Sequence, residues 1–438
     1  MTIDRRRIVL GSLAGVAGSS LGLPAFAQSP AKIGNFPEGV GADSVFVGLT
    51  IPLTGVFAAD GQDLKLGFEL ALAQINAGGE VAQKWGLKGK GVLGKQVRHR
   101  VADTEGKPNV AVQAATQFFQ RDKAIMIAGS VSSSEAIALA ELANRERILY
   151  LVGVAGANEV TGKNCQRYSF RVQHNAFSGS KALAPVIAKA LGKNIKTAFL
   201  VPDYTYGHSV YESFARFSKE QGWKQVAKEV VPLGTSDYSS ALLNIANSGA
   251  DVFVNVAFGA DAVASTKQAE QFGVLKRMKL AVPNLSAFQD KELGAEIMQG
   301  VYGTCEFWWT LADRNPLAKA FVDSFVAQNK YHPRWAAHVG YTQAFLWALS
   351  VERAGSFNPV DVIKTYEASK ETPYESTLGK IYFRAEDHQA VRPVPVLRGK
   401  APSAMKGPED FYEVIDVVAG EDVVSAPDAL GCKLGPYT

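Results

Sequence analysis

From residue 45 onward the chain alternates short β-branched runs with longer segments of helical period, and this alternation restricts the fold more than any other feature. Residues 45–51 read as a strand, and the apolar residues Leu64, Phe68, Leu72 and Ile75 then recur at the spacing of one helix face. The same order repeats through 97–102, 109–121, 124–128, 134–147 and 148–152. A second series starts at 168–172 and places strands at 197–201, 225–231, 251–257 and 278–282, with helical segments between them. Strand followed by helix, many times over, predicts parallel sheets covered by helices on both faces. No Pro/Gly/Ser-rich linker separates the two series, so the expected fold class is α/β, two doubly wound parallel-sheet lobes joined by a hinge. After residues 300–309 come helical stretches at 316–329 and 335–354, short strands at 380–384 and 393–398, and a Pro- and Gly-punctuated tail.

Charge separates the function classes. The 438 residues carry 46 Lys plus Arg against 42 Asp plus Glu, a net +4 that is too even for a phosphate-neutralising face, so no nucleic acid partner is expected. The positive charge is concentrated at the start: Arg5, Arg6 and Arg7 precede an uncharged stretch that ends Ala25-Phe26-Ala27. A basic start, a short apolar run and an A-x-A-like end make residues 1–27 a twin-arginine-like secretory signal, cleaved after Ala27. A membrane helix fits less well, because glycines at 11, 15, 18 and 22 and Pro24 interrupt the run. Export places Cys165, Cys305 and Cys432 in an oxidising compartment, where a disulfide persists. Spacing cannot give connectivity. Cys165 with Cys432 is the pair expected, tying the tail to the body, and three buried thiols are the alternative.

Catalytic patterns are weak. Gly89-Lys-Gly91-Val-Leu-Gly94 matches G-x-G-x-x-G but leads into a strand instead of opening a helix, so it reads as a surface turn. Ser178-Gly-Ser-Lys181 matches S-x-x-K without its companion motifs, and Ser178 is expected to cap a helix. Six scattered histidines show no metal-ligand spacing. The expectation is a binding protein, not an enzyme, with no cofactor and no metal.

In open α/β sheets ligands sit at the carboxyl ends of strands. Those ends carry Phe57 and Asp60 after the first strand, Ser132 and Ser133 after the third, and Ala155, Gly156 and Ala157 after the fourth. In the second series they carry Tyr206, Phe258, Asp261 and Asn284. Hydroxyls and free amides ahead of a helix favour an anion such as a carboxylate, although capping is an equal role for the serines.

Ile51-Pro-Leu-Thr-Gly55, residues 67–76, the serines at 132–134, Tyr206-Gly207 and residues 267–273 resemble the periplasmic solute-binding proteins of branched-chain amino-acid ABC importers, the Leu/Ile/Val-binding protein family. The resemblance runs from about residue 45 to about 383. It implies a type I periplasmic binding fold with three interlobe crossings, a small-molecule ligand, an inner-membrane ABC permease as partner, and a monomer in the periplasm. It divides the chain into lobe I (43–172 plus 303–378), lobe II (173–302 plus 379–400) and a C-terminal tail (401–438). It also implies that Ser133 and the amides around Ala155 and Ala157 anchor a carboxylate, while Tyr206 and Phe258 close over the ligand.

The departures matter more. Where family members that bind α-amino acids hold the ammonium with acidic residues, this chain has Ala176 and Asn284. An ammonium buried without a carboxylate costs several kcal/mol. The expected ligand is therefore a carboxylate without an α-ammonium, foremost an aromatic acid held among Phe57, Tyr206, Phe258 and Phe288, with Phe307, Trp308 and Trp309 near the third crossing. Asp60 or Asp261 could supply a carboxylate from another angle, which would restore an amino-acid ligand. An amide or urea ligand stays open as well, as does a sensor that feeds a periplasmic signalling partner.

Overall fold

A computed structural model describes residues 43–437, and the expected signal sequence lies outside them. The first series forms β1 (Ser44–Ile51), α1 (Ala58–Ala77), α2 (Glu80–Trp85), β2 (Gln96–Asp103), α3 (Pro108–Gln120), β3 (Met126–Gly129), α4 (Ser133–Glu146), β4 (Leu149–Val152) and β5 (Ser169–Arg171). Its strands make a parallel sheet of order β2-β1-β3-β4-β5. The second series forms α5 (Ala176–Leu191), β6 (Lys196–Pro202), α6 (Thr205–Glu220), β7 (Lys224–Val231), α7 (Ser239–Asn247), β8 (Val252–Asn255), α8 (Ala260–Gln271), α9 (Val274–Arg277), β9 (Lys279–Val282), α10 (Gln289–Leu293), α11 (Ala295–Met298) and β10 (Tyr302–Thr304). The chain then returns to the first lobe with α12 (Pro316–Asn329), α13 (Trp335–Ala354), α14 (Pro359–Glu367), β11 (Tyr374–Ser376), β12 (Gly379–Phe383) and β13 (Ala390–Val391). It ends with β14 (Val394–Gly399), β15 (Tyr412–Val418) and α15 (Gly420–Val423).

The second sheet has the order β15-β14-β10-β9-β8-β6-β7, parallel except for β14 and β15, which pair antiparallel. Two sequence expectations shift here. Residues 379–391, assigned to the second lobe, pack with the first: Phe383 meets Phe170 and Tyr366, and Arg171 bridges Gln389 beside β5. The tail from 401 is part of the fold, because 412–418 pairs antiparallel with β14 as an edge strand; its alternation is short and lies among Pro and Gly, which hid it in the sequence.

The lobes are built on apolar alternation. In β1, Val45, Val47, Leu49 and Ile51 are buried, and every residue of β3 and β4 is buried. Helix α13 is buried along nearly its whole length against α1. That contact needs glycine: a Cβ on Gly67 would lie 1.8 Å from the Ala337 carbonyl oxygen, and one on Gly340 2.3 Å from that of Leu64. The motif at 89–94 is a turn closed by a Val92–Lys95 bridge, outside the site. Ser178 does not cap α5. Asn175 does, its side chain accepting from the Ser178 amide at 2.9 Å.

The chain passes between the sheets at 172–175, 305–308 and 392–393. It also returns a fourth time: beyond β15 and α15, Cys432 is disulfide-bonded to Cys165 ahead of β5, and the Arg167 Nε donates to the Gly435 carbonyl at 2.8 Å.

Candidate functional site

The strand ends of the two lobes meet face to face. The Ala260 amide donates to the Val56 carbonyl at 2.9 Å, and the Ala287 amide donates to Asp60 Oδ1 at 2.8 Å. On the other side of the cleft the Asn158 amide donates to Ser209 Oγ at 2.8 Å, and Asn158 Nδ2 donates to Ser213 Oγ at 2.9 Å. These bonds join loops that leave different sheets, so the lobes are closed on each other.

Five rings fill the junction. Phe57, at the start of α1, lies 6.1 Å from Tyr204 and 6.4 Å from Phe258. Tyr206 lies 5.6 Å from Phe258 and 5.9 Å from Tyr204, and Phe258 lies 5.8 Å from Trp335 at the head of α13. Tilted and edge-on pairs of this kind are favourable beyond their buried area. Beside them a cavity of about 10 Å³ is lined by Gly156, His174, Asn175, Ala176, Tyr206 and Asn284, among others. That is room for roughly one water. A Cβ on Gly156 would sit 3.0 Å from the Tyr206 ring, so glycine at 156 lets the second lobe close down.

The head of α4 and the loop at 155–157 are arranged for negative charge. Ser132 stands at the N-cap of α4 but its hydroxyl pairs with that of Ser134 at 2.9 Å. Ser133 is fully buried and does not cap: its Oγ accepts from the Ala157 amide at 3.1 Å, which leaves its proton free to donate. Arg171, buried at the end of β5, holds the same loop from below, donating to the Ala155 carbonyl at 2.9 Å and to the Ala157 carbonyl at 2.5 Å. Burial lowers its guanidinium to about 10, so it stays charged at neutral pH. A helix N-terminus and a buried cation behind one hydroxyl favour an anionic ligand group.

Asp60 is fully buried between the lobes, and burial raises its carboxyl to about 8; Asp63, one turn on, is raised to about 7 for the same reason. Neither offers a permanent counter-charge to a buried ammonium. Asp261 turns into its own lobe, its Oδ2 accepting from the Gly234 amide at 2.8 Å. Phe288 packs on Tyr331 and lies under the Arg334 guanidinium, Phe307 stacks on His338, and Trp308 packs on Tyr412 and Trp309. Phe288, Phe307, Trp308 and Trp309 therefore pack into other parts of the structure and do not join the five-ring cluster.

The hinge holds a charge network that no local motif announces. Glu306, on the second passage, is fully buried; its Oε1 lies 2.6 Å from His174 Nδ1 on the first, and its Oε2 lies 2.6 Å from the Arg392 guanidinium on the third. Although burial raises the Glu306 carboxyl, His174 and Arg392 together hold it below the ordinary carboxylate range. Sequence reading missed these three residues, with Trp335 and Arg171. The one available signal was a lone arginine inside the run at 168–172.

Among the described residues no helix is long and apolar enough to cross a membrane. Residues 44–404 match the family model described as periplasmic binding protein. A Leu/Ile/Val-binding protein homolog 8 of Brucella suis is 29% identical over 277 residues, 61% of each chain, so the chain spans about three fifths of that relative's length. An amino acid ABC transporter substrate-binding protein of Pseudomonas fluorescens Pf-5 is 25% identical, with a TM-score of 0.80 over 90% of this chain and all of that one. A solute binding protein of an ABC transporter from R. palustris, in complex with benzoate, shares the fold with a TM-score of 0.74 at 23% identity, over 89% of this chain and all of that one.

Proposed function

Because the chain belongs to the periplasmic binding protein family, we propose that it captures an aromatic carboxylate between its two lobes and delivers it to an ABC import permease. The observation that carries this reading is the five-ring cluster drawn from both lobes: Phe57 and Trp335 from one, Tyr204, Tyr206 and Phe258 from the other. Ring faces contributed by both lobes give an aromatic ligand contacts that are complete only on closure, so binding shifts the open and closed populations. The ligand carboxylate accepts from Ser133 Oγ, with Arg171 and the α4 N-terminus behind it. Ala176 and Asn284 line the neighbouring cavity without charge, which disfavours an α-ammonium. The cavity holds about one water with the lobes shut this far, so seating a ring requires Tyr206 and Phe258 to draw back from Phe57. The benzoate in the R. palustris protein is consistent with this class, and the Brucella relatives' names keep amino acids as the competing class.

A thermal-shift screen of the chain against aromatic acids, short-chain acids, amino acids and amides tests the reading. A ligand at a hundredfold excess over its dissociation constant stabilises by about 2.7 kcal/mol. Aromatic acids should register, and Ser133→Ala should weaken them about 10-fold or more, the value of a hydrogen bond to a charged group. Stabilisation by amino acids alone would overturn the reading.

A further inference from the structure

We propose that Asp60 is the specificity-determining residue of this cleft, and that the ligand is an aromatic acid carrying a ring hydroxyl. The inference rests on the aromatic-acid reading above and names the substituent that reading leaves open. Asp60 has no exposed surface, and only one of its carboxyl oxygens is engaged: Oδ1 takes the Ala287 amide of the opposite lobe at 2.8 Å, while Oδ2 has no hydrogen-bond partner among the described residues. The carboxyl lies on the cleft side of α1. It follows Phe57 by one helical turn, and its charge reaches the phenols of both Tyr204 and Tyr206, two members of the ring cluster. Asn284, from the second lobe, presents a further buried oxygen without a partner, Oδ1, while its side chain bonds the Tyr206 hydroxyl.

Two unmet oxygens, one from each lobe, therefore lie beside the ring cluster. Native interiors rarely leave such atoms unpaired, so a group that answers them belongs on the ligand. A hydroxyl suits this pair better than any other common ring substituent. It donates to an ionised Asp60 or to Asn284, and it accepts from Asp60 when the free oxygen carries the proton, so it satisfies the carboxyl in either state. Burial raises Asp60 to about 8, which keeps both states within reach near neutral pH. An unsubstituted ring leaves the carboxyl unmet, and sites built to bond a hydroxyl reject the analogue lacking it by large factors.

Calorimetric titration of the whole chain with benzoate, 3-hydroxybenzoate, 4-hydroxybenzoate and leucine tests this. At least one hydroxybenzoate should bind about 100-fold more tightly than benzoate. Asp60→Ala should cut that ratio to less than about tenfold, and Asp60→Asn, which keeps a donor and an acceptor in place, should keep most of it. Ratios cancel any general weakening of closure, and the wild-type ratio decides even where a variant does not fold. Benzoate binding as tightly as both hydroxybenzoates overturns the inference while the aromatic-acid reading stands. An undiminished preference in Asp60→Ala overturns the role of Asp60. Binding of leucine alone, or of no aromatic acid, overturns the reading on which the inference rests.

Discussion

Replacing Glu306 by Gln removes one charge and little volume from the place where all three passages between the sheets converge. The wild-type carboxylate lies 2.6 Å from His174 Nδ1 and 2.6 Å from an Arg392 nitrogen, with all three side chains essentially buried. Glutamine keeps one acceptor but leaves the Arg392 guanidinium, 2% exposed, without its counter-charge. Breaking a buried pair from one side costs about 3–5 kcal/mol, mostly because the remaining charge cannot be solvated. For a chain this long that corresponds to a fall in melting temperature on the order of 4–6 °C. Urea unfolding followed by circular dichroism at pH 7 measures it. The pH dependence gives a second reading. The folded Glu306 carboxyl is held below its ordinary value of 4.5, so its contribution is present above that value and disappears as pH falls through the folded one. The gap between wild type and Glu306→Gln should therefore narrow below about pH 4. A loss under about 1 kcal/mol at pH 7, or a gap that stays constant on acidification, would refute the network as a structural clasp.

Glu135, buried in α4, behaves oppositely: burial raises it from 4.5 to about 8, so its contribution is full below 4.5 and is lost as pH rises toward 8. Glu135→Gln should match wild type near pH 5 and exceed it at pH 8 by a few kcal/mol at most, since each tenfold change in proton affinity is worth about 1.4 kcal/mol. The difference in melting temperature between the two should grow with pH. Replacing Cys165 and Cys432 by Ser opens a loop with a sequence separation of 267 and should cost about 5–6 kcal/mol in urea midpoint analysis, by release of loop entropy in the unfolded chain. Gly67→Ala drives a methyl to 1.8 Å from the Ala337 carbonyl oxygen and should cost at least about 1–3 kcal/mol in the same assay, since backbone on both sides must move.

The layered architecture was legible because each buried strand and helix carries its own period. Residues 316–329 and 335–354 are α12 and α13 to the residue, and the first strand and its helix fall where Leu64, Phe68, Leu72 and Ile75 place them. Elements too short to show a period were not legible: β10 has three residues, and β15 lies in a stretch broken by Pro and Gly. Phe57, Tyr206 and Phe258 could be found from their positions after strands, because topology alone brings strand ends to one cleft. Their neighbour Tyr204 falls in the same class of position, whereas Trp335 heads α13 directly after α12, where no strand end points to it. Arg171, His174, Glu306 and Arg392 were beyond reach for a different reason. The partners of Glu306 lie 132 residues before it and on the third passage after it, and no local spacing encodes a pairing of that range. Likewise Ser133 had two roles open, cap or anchor. The loop at 155–157, folded against its Oγ, speaks only against the capping role.

A crystal structure of the chain with the aromatic acid that stabilises it most tests the central claim most directly. The account predicts the carboxylate within hydrogen-bond distance of Ser133 Oγ and the ring between Phe57 and the Tyr206–Phe258 pair, with both lobes in contact with it. A ligand held by one lobe alone, or seated away from those rings, would contradict it.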